Sequence, residues 1–118
     1  MRVSDRKLNK SLQKQIQNVF AQTIADIKTI DEANKFFKDF LTDAELETFS
    51  KRLAVAYWLQ KGRSYANIKT NLKVSSATIA TVAESLKTKG VQLALKKIEA
   101  DEWANVWSDR IRKFLPSV

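Results

Sequence analysis

The sequence predicts an all-α protein of about six helices. Three observations carry that prediction. Only two glycines and one proline occur in 118 residues, at Gly62, Gly90 and Pro116, and so few breakers leave long uninterrupted stretches for helix. Apolar residues recur at spacings of three and four, the period of a helix with one buried stripe. No stretch alternates apolar and polar residues between turn dipeptides, as a half-buried strand would.

Each helix can be bracketed by its caps. Ser4 stands before Leu8, Leu12, Ile16, Val19, Phe20, Ile24 and Ile27, which form one stripe along a long first helix. That stripe can meet this chain's own core or a second chain; the sequence leaves both open. Thr29 with Glu32, and Thr42 with Glu45, have the capping-box spacing and start the second and third helices. The second runs to about Phe40. The third carries Leu46, Phe49, Leu53, Ala56, Tyr57 and Leu59, with Gly62 as its stop. Ser64 caps a short helix through Leu72, and Ser75 or Ser76 caps another that ends near Thr88, before Gly90. The last segment, about 91–115, holds Val91, Leu95, Ile98, Trp103, Val106, Trp107, Ile111 and Phe114. It reads as one helix or, with Asp101 as an internal cap, as two. The whole, residues 1–118, is expected to be a single helical domain.

Composition narrows the chemistry. The chain has 21 Lys and Arg, 13 Asp and Glu, and a net charge of +8. It has no cysteine and no histidine, which removes disulfides, thiolate nucleophiles and Cys/His metal sites. The commonest acid–base groups go with them, so no catalytic residue, metal or cofactor is expected. No apolar run approaches the length of a membrane span and no secretory signal is visible at the N-terminus, so the expected location is the cytoplasm.

The charge is concentrated. Residues 63–97 hold Arg63, Lys69, Lys73, Lys87, Lys89, Lys96 and Lys97 against Glu84 alone, six of the eight net charges. This window contains two short helices joined by a tight turn, the layout of a helix-turn-helix at about 64–88. Ile68, Leu72, Val74, Ile79 and Val82 fall where such a motif needs apolar contacts. Ser76, Ala77, Ala80, Thr81 and Glu84 form the opposite face of the second helix. Side chains this small let a helix approach the floor of a major groove roughly 12 Å wide. Lys69, Lys73, Lys87 and Lys89 would contact phosphates, which sets position more than sequence preference. A purely solvated basic face is the plainer alternative.

Residues 41–87, LTDAELETFSKRLAVAYWLQKGRSYANIKTNLKVSSATIATVAESLK, resemble the tryptophan repressor superfamily, closest to its YerC/YecD-type branch. The strongest pieces are LTDAE, Lys51–Arg52, KGRSYANI and SSATIATV, and the resemblance extends over about residues 30–100. It implies an intertwined homodimer and operator binding to double-stranded DNA by two helix-turn-helix units. By position it implies that Ser76, Ala77 and Ala80 face DNA and that Thr78 lies beside a backbone phosphate. Thr42, Arg52 and Ser85 match positions of the family's corepressor pocket, with Arg52 one of two arginines that sandwich an indole. The second arginine belongs at Thr81. A threonine can neither stack on an indole nor pair with a carboxylate, which argues against tryptophan as corepressor. Lys73 and Val74 stand in the turn where a glycine is usual, and Ala66 stands where the supporting helix carries an arginine.

Two other clusters have plainer readings. Trp103 and Trp107 share a face with Ile98, Val106 and Ile111, which fits packing, although a partner-binding stripe would make the chain a protein–protein interaction module. Asp101, Glu102 and Asp109 fit capping and surface charge better than a cation site. The readings to be separated are therefore a homodimeric DNA-binding repressor, a nonspecific architectural DNA binder and an interaction module.

Overall fold

The computed structural model describes residues 7–114, with side-chain detail through residue 102. The described residues form six helices and no strand: α1 (Lys10–Asp26), α2 (Ile30–Phe40), α3 (Asp43–Gln60), α4 (Tyr65–Leu72), α5 (Ser76–Ser85) and α6 (Lys89–Phe114). Among them no helix is long and apolar enough to cross a membrane. The chain divides into two compact units, Met1–Leu46 and Glu47–Val118.

The first unit contains α1, α2 and the start of α3. Asn9 caps α1, its Oδ1 accepting from the N–H of Ser11 at 2.8 Å and of Leu12 at 3.4 Å. The cap expected at Ser4 lies outside the described residues, and the helix begins after Leu8 because the asparagine carboxamide satisfies its first free N–H groups. Thr29 caps α2 through Glu32 N–H at 3.1 Å. The box at the start of α3 is reciprocal: Thr42 N–H donates to Glu45 Oε1 at 2.9 Å, and Glu45 N–H to Thr42 Oγ1 at 3.0 Å. Phe20 of α1 meets Phe36 and Phe40 of α2 at ring-centroid distances of 6.5 and 5.9 Å, and Phe36 stacks on Phe40 at 4.9 Å. Even so, no residue of α1 is buried. Leu12, Ile16, Val19 and Phe20 of its stripe are all exposed, Val19 by 66%.

The second unit holds the core, built from Val55 and Ala56 of α3, Ile68 of α4, Ile79 and Val82 of α5, and Leu95 of α6. Leu72, Val74, Leu86, Val91 and Ile98 pack against it. The predicted stripe of α3 holds at Ala56, Tyr57 and Leu59, which lie in or against the core, and needs correction elsewhere. Val55, outside that stripe, is fully buried, while Phe49 and Leu53 within it are 49% and 44% exposed. The helix is apolar on more than one side, and the side directed at α4 and α5 is the one that includes Val55. Two boundaries also move. α5 ends at Ser85, and Ser85 then accepts from Thr88 N–H at 3.0 Å. Gly90 does not break the chain; it lies in the first turn of α6, where its lack of a side chain costs little because the helix ladder has only begun, with Gln92 N–H donating to Thr88 O at 3.0 Å. From Lys89 to Phe114 the last helix is continuous, so Asp101 is not an internal cap.

Candidate nucleic-acid interface

The segment Ser64–Ser85 is two short helices about a tight turn, each start fixed by a serine. Ser64 Oγ accepts from Asn67 N–H, and Ser75 Oγ from Thr78 N–H, both at 3.1 Å. Between them Lys73 adopts the left-handed conformation, φ 55° and ψ 50°, and closes α4 by donating its N–H to Lys69 O at 3.1 Å. It is the sole non-glycine residue with positive φ among those described. A side chain there costs on the order of 1 kcal/mol, so the turn where a glycine was expected is made under strain.

The buried and outward faces of α5 are cleanly divided. Ile79 and Val82 are buried against Ile68 of α4 and the rest of the core. Ser76, Ala77, Ala80, Thr81 and Glu84 are exposed. Thr78 is half-buried, and its hydroxyl lies 2.9 Å from Ser75 Oγ. The Thr81 hydroxyl donates to Ala77 O at 3.0 Å. Of the residues proposed from the sequence for DNA, Lys69, Lys73, Ser76, Ala77, Ala80, Thr81, Lys87 and Lys89 are thus on the surface, while Thr78 braces the helix start.

The far end of α5 is tied to its neighbours by one carboxamide. Gln92 Nε2 donates to Leu86 O at 2.6 Å and to Gln60 Oε1 at 3.0 Å, and Gln60 Nε2 donates in turn to Glu99 Oε1 at 2.7 Å. The orientation of α5 is therefore set at its start by Ser75, along its length by Ile79 and Val82, and at its end by Gln92.

Two hollows border this motif. The larger, about 460 Å³, is lined by Lys51 and Arg52 of α3, Lys73 and Ser75 of the turn, and Ala77 and Thr81 of α5, among others. The smaller, about 280 Å³, brings together Arg52 and Ser85, two of the three pocket positions inferred from the resemblance, with Phe49, Leu53, Val82 and Val91. The third, Thr42, lies in the first unit, where its hydroxyl caps α3. Thr81 lines the larger hollow and brings no charge to it.

Sequence reasoning missed Arg63 as a positioned group. Its guanidinium carbon lies 3.9 Å from the centroid of the Trp58 ring, and Trp58 packs against the core. The signal was available in the five-residue spacing across Gly62. The side chains of Trp103 and Trp107 lie outside the described residues, as does that of Asp109. Among the described residues no group of three or more acidic side chains could hold a metal ion.

The profile of the Trp repressor protein family matches residues 14–98. An uncharacterised Bacillus subtilis protein, YerC, is 30% identical over 98 residues, covering 81% of this chain and 93% of that protein. Among solved structures, a TrpR-like protein from Eubacterium eligens superposes with a TM-score of 0.70 at 32% identity, over 77% of this chain and 96% of its own. A candidate Trp repressor from Staphylococcus aureus superposes with a TM-score of 0.69 at 26% identity, over 80% of this chain and 96% of its own.

Proposed function

The chain belongs to the Trp repressor family, and from that premise we propose that it is a DNA-binding transcriptional regulator, a repressor that occupies an operator as a homodimer with one helix-turn-helix per protomer. The observation that carries this reading is the two-sidedness of α5: Ile79 and Val82 are buried, while Ser76, Ala77, Ala80, Thr81 and Glu84 project outward with no partner in another element among the described residues.

In this mechanism lysines at 69, 73, 87 and 89 draw the chain to the phosphates, releasing counterions. α5 then enters the major groove along its small-residue face, close enough for the backbone to approach base edges. Base-reading groups are few. The Thr81 hydroxyl is already bonded to Ala77 O, and Ser76 and Glu84 are the remaining polar side chains on that face. Affinity should therefore rest more on phosphates than on bases, and this sparseness is what favours the second reading, a nonspecific architectural binder.

The dimer is part of the same proposal. The exposed stripe Leu12, Ile16, Val19 and Phe20 on α1, and Phe49 and Leu53 on α3, leave apolar side chains that a second copy would cover. The hollow shared by Arg52 and Ser85 is proposed as an effector pocket, and the threonine at position 81, where the resemblance places a second arginine, argues against tryptophan as its occupant.

Titration of duplex DNA at two salt concentrations tests the function. Binding that falls steeply with salt is expected; no binding, or binding indifferent to salt, overturns it. Selection from random duplexes separates a repressor, which enriches one sequence, from an architectural binder, which enriches none.

A further inference from the structure

We propose that Arg63 is a phosphate clamp of the DNA interface, with Trp58 as the residue that positions it. The inference rests on the DNA-binding reading above and adds to it a contact outside the two helices.

The backbone of Arg63 is fixed by the way α3 ends. Gly62 takes φ 84°, and the two bonds of a Schellman cap follow: Gly62 N–H donates to Leu59 O at 3.0 Å, and Arg63 N–H to Trp58 O at 3.1 Å. This cap folds the chain back so that Arg63 returns to the residue five places earlier. Its guanidinium then stacks over the Trp58 ring at 3.9 Å, and Nη1 donates to Asn67 Oδ1 at 3.4 Å. The indole is itself held, because Trp58 packs on the core.

A stacked guanidinium keeps its edge free. It has five N–H donors in a rigid fork, and a single one of them goes to Asn67. Among the described residues it has no carboxylate partner; the ion pairs there join Lys35 to Asp31, Lys51 to Glu47 and Lys61 to Glu102. An exposed arginine fixed in place and left without a counter-ion among the described residues fits a bidentate anionic acceptor such as the two non-bridging oxygens of a phosphodiester. Its location agrees. Arg63 directly precedes the Ser64 cap and reaches Asn67 in the first turn of α4, a helix whose Ala66 and Thr70 are exposed and uncharged opposite buried Ile68. The first turn of α4 contains no acidic residue to repel a phosphate.

The test is a salt series of duplex-DNA titrations on the full chain, comparing wild type with Arg63→Gln, Arg63→Lys and Trp58→Phe. Arg63→Gln should lower the slope of log K against log salt by roughly 0.9 and weaken binding about tenfold at 0.1 M salt, on every sequence alike. Arg63→Lys should restore the slope and only part of the affinity, since it keeps the charge and loses the fork. Trp58→Phe should keep the slope while weakening affinity. A merely structural Arg63 would leave the slope unchanged in protein whose helical circular dichroism matches wild type, and that result overturns the proposal alone. A wild type that binds no DNA overturns the parent reading and this one together.

Discussion

The ammonium of Lys51 on α3 donates to the carbonyl oxygen of Lys73, 22 residues away in the turn between α4 and α5, at 3.4 Å. Lys51 also pairs with Glu47 at 3.0 Å. The turn whose lysine is forced into the left-handed region is thus steadied from the helix beneath it. Lys73 has two opposed roles in consequence: its backbone is strained, while its side chain is free for a phosphate.

Replacing it separates the two. Lys73→Gly should relieve the strain and raise unfolding stability by about 1 kcal/mol, less the entropy a glycine adds to the unfolded chain. The same variant should bind DNA more weakly at all sequences and with a shallower salt slope. Urea melts and DNA titrations on one preparation check both signs.

Ala77 is exposed on the outward face of α5. A carboxylate there would meet base edges and phosphates at close range, so Ala77→Glu should reduce DNA affinity by about a hundredfold or more with no change in melting temperature. A folded Ala77→Glu protein that binds as well as wild type would show that another element does the reading.

The dimer can be read from mass. Val19 is 66% exposed and Ile16 48%, and neither joins the ring cluster of Phe20, Phe36 and Phe40. Sedimentation should give twice 13.5 kDa for wild type. Ile16→Asp or Val19→Asp should raise the dissociation constant by roughly a hundredfold, the effect of about 3 kcal/mol for a carboxylate in an apolar seam. A monomeric wild type at micromolar concentration would remove the second copy from the mechanism.

The capping box of α3 titrates. The Glu45 carboxyl is held below its ordinary value of 4.5, first by the Thr42 backbone N–H and then by the Thr42 hydroxyl. A lowered folded-state pKa means the carboxylate contributes stability above the ordinary range and loses it as pH falls through the lowered value. The stability gap between wild type and Glu45→Gln should therefore be constant near neutrality and close below about pH 4.5. Paired urea melts across pH 3–7 measure it; a gap that widens on acidification contradicts the assignment.

Tryptophan should leave the melting temperature unchanged. A ligand present at a hundred times its dissociation constant adds about 2.7 kcal/mol, which a thermal shift detects easily. With Thr81 in place of a cation no such shift is expected.

Much of this was legible from residues. The threonine boxes at Thr29 and Thr42, the serine caps at Ser64 and Ser75, and the inward residues Ile68, Ile79 and Val82 all stand where local spacing put them, because each depends on neighbours within four positions. What was not legible depended on distant packing partners or on how a helix ends. Val55 is a core residue because α4 and α5 lie against it, and its own helix is too broadly apolar to single it out. The Arg63–Trp58 stack needed the cap at Gly62 to be seen as a reversal rather than a stop. Gly90 looked like a break because its role at a helix start depends on where α5 ends.

The division of labour on α5 has a bearing on how such proteins diversify. Ser76, Ala77, Ala80, Thr81 and Glu84 are exposed and their side chains make no hydrogen bond or ion pair to another element of the described chain, so inheritance can alter them one at a time without disturbing what Ile79 and Val82 hold upright. A frame of this kind can pass between lineages intact while the text it recognises is rewritten.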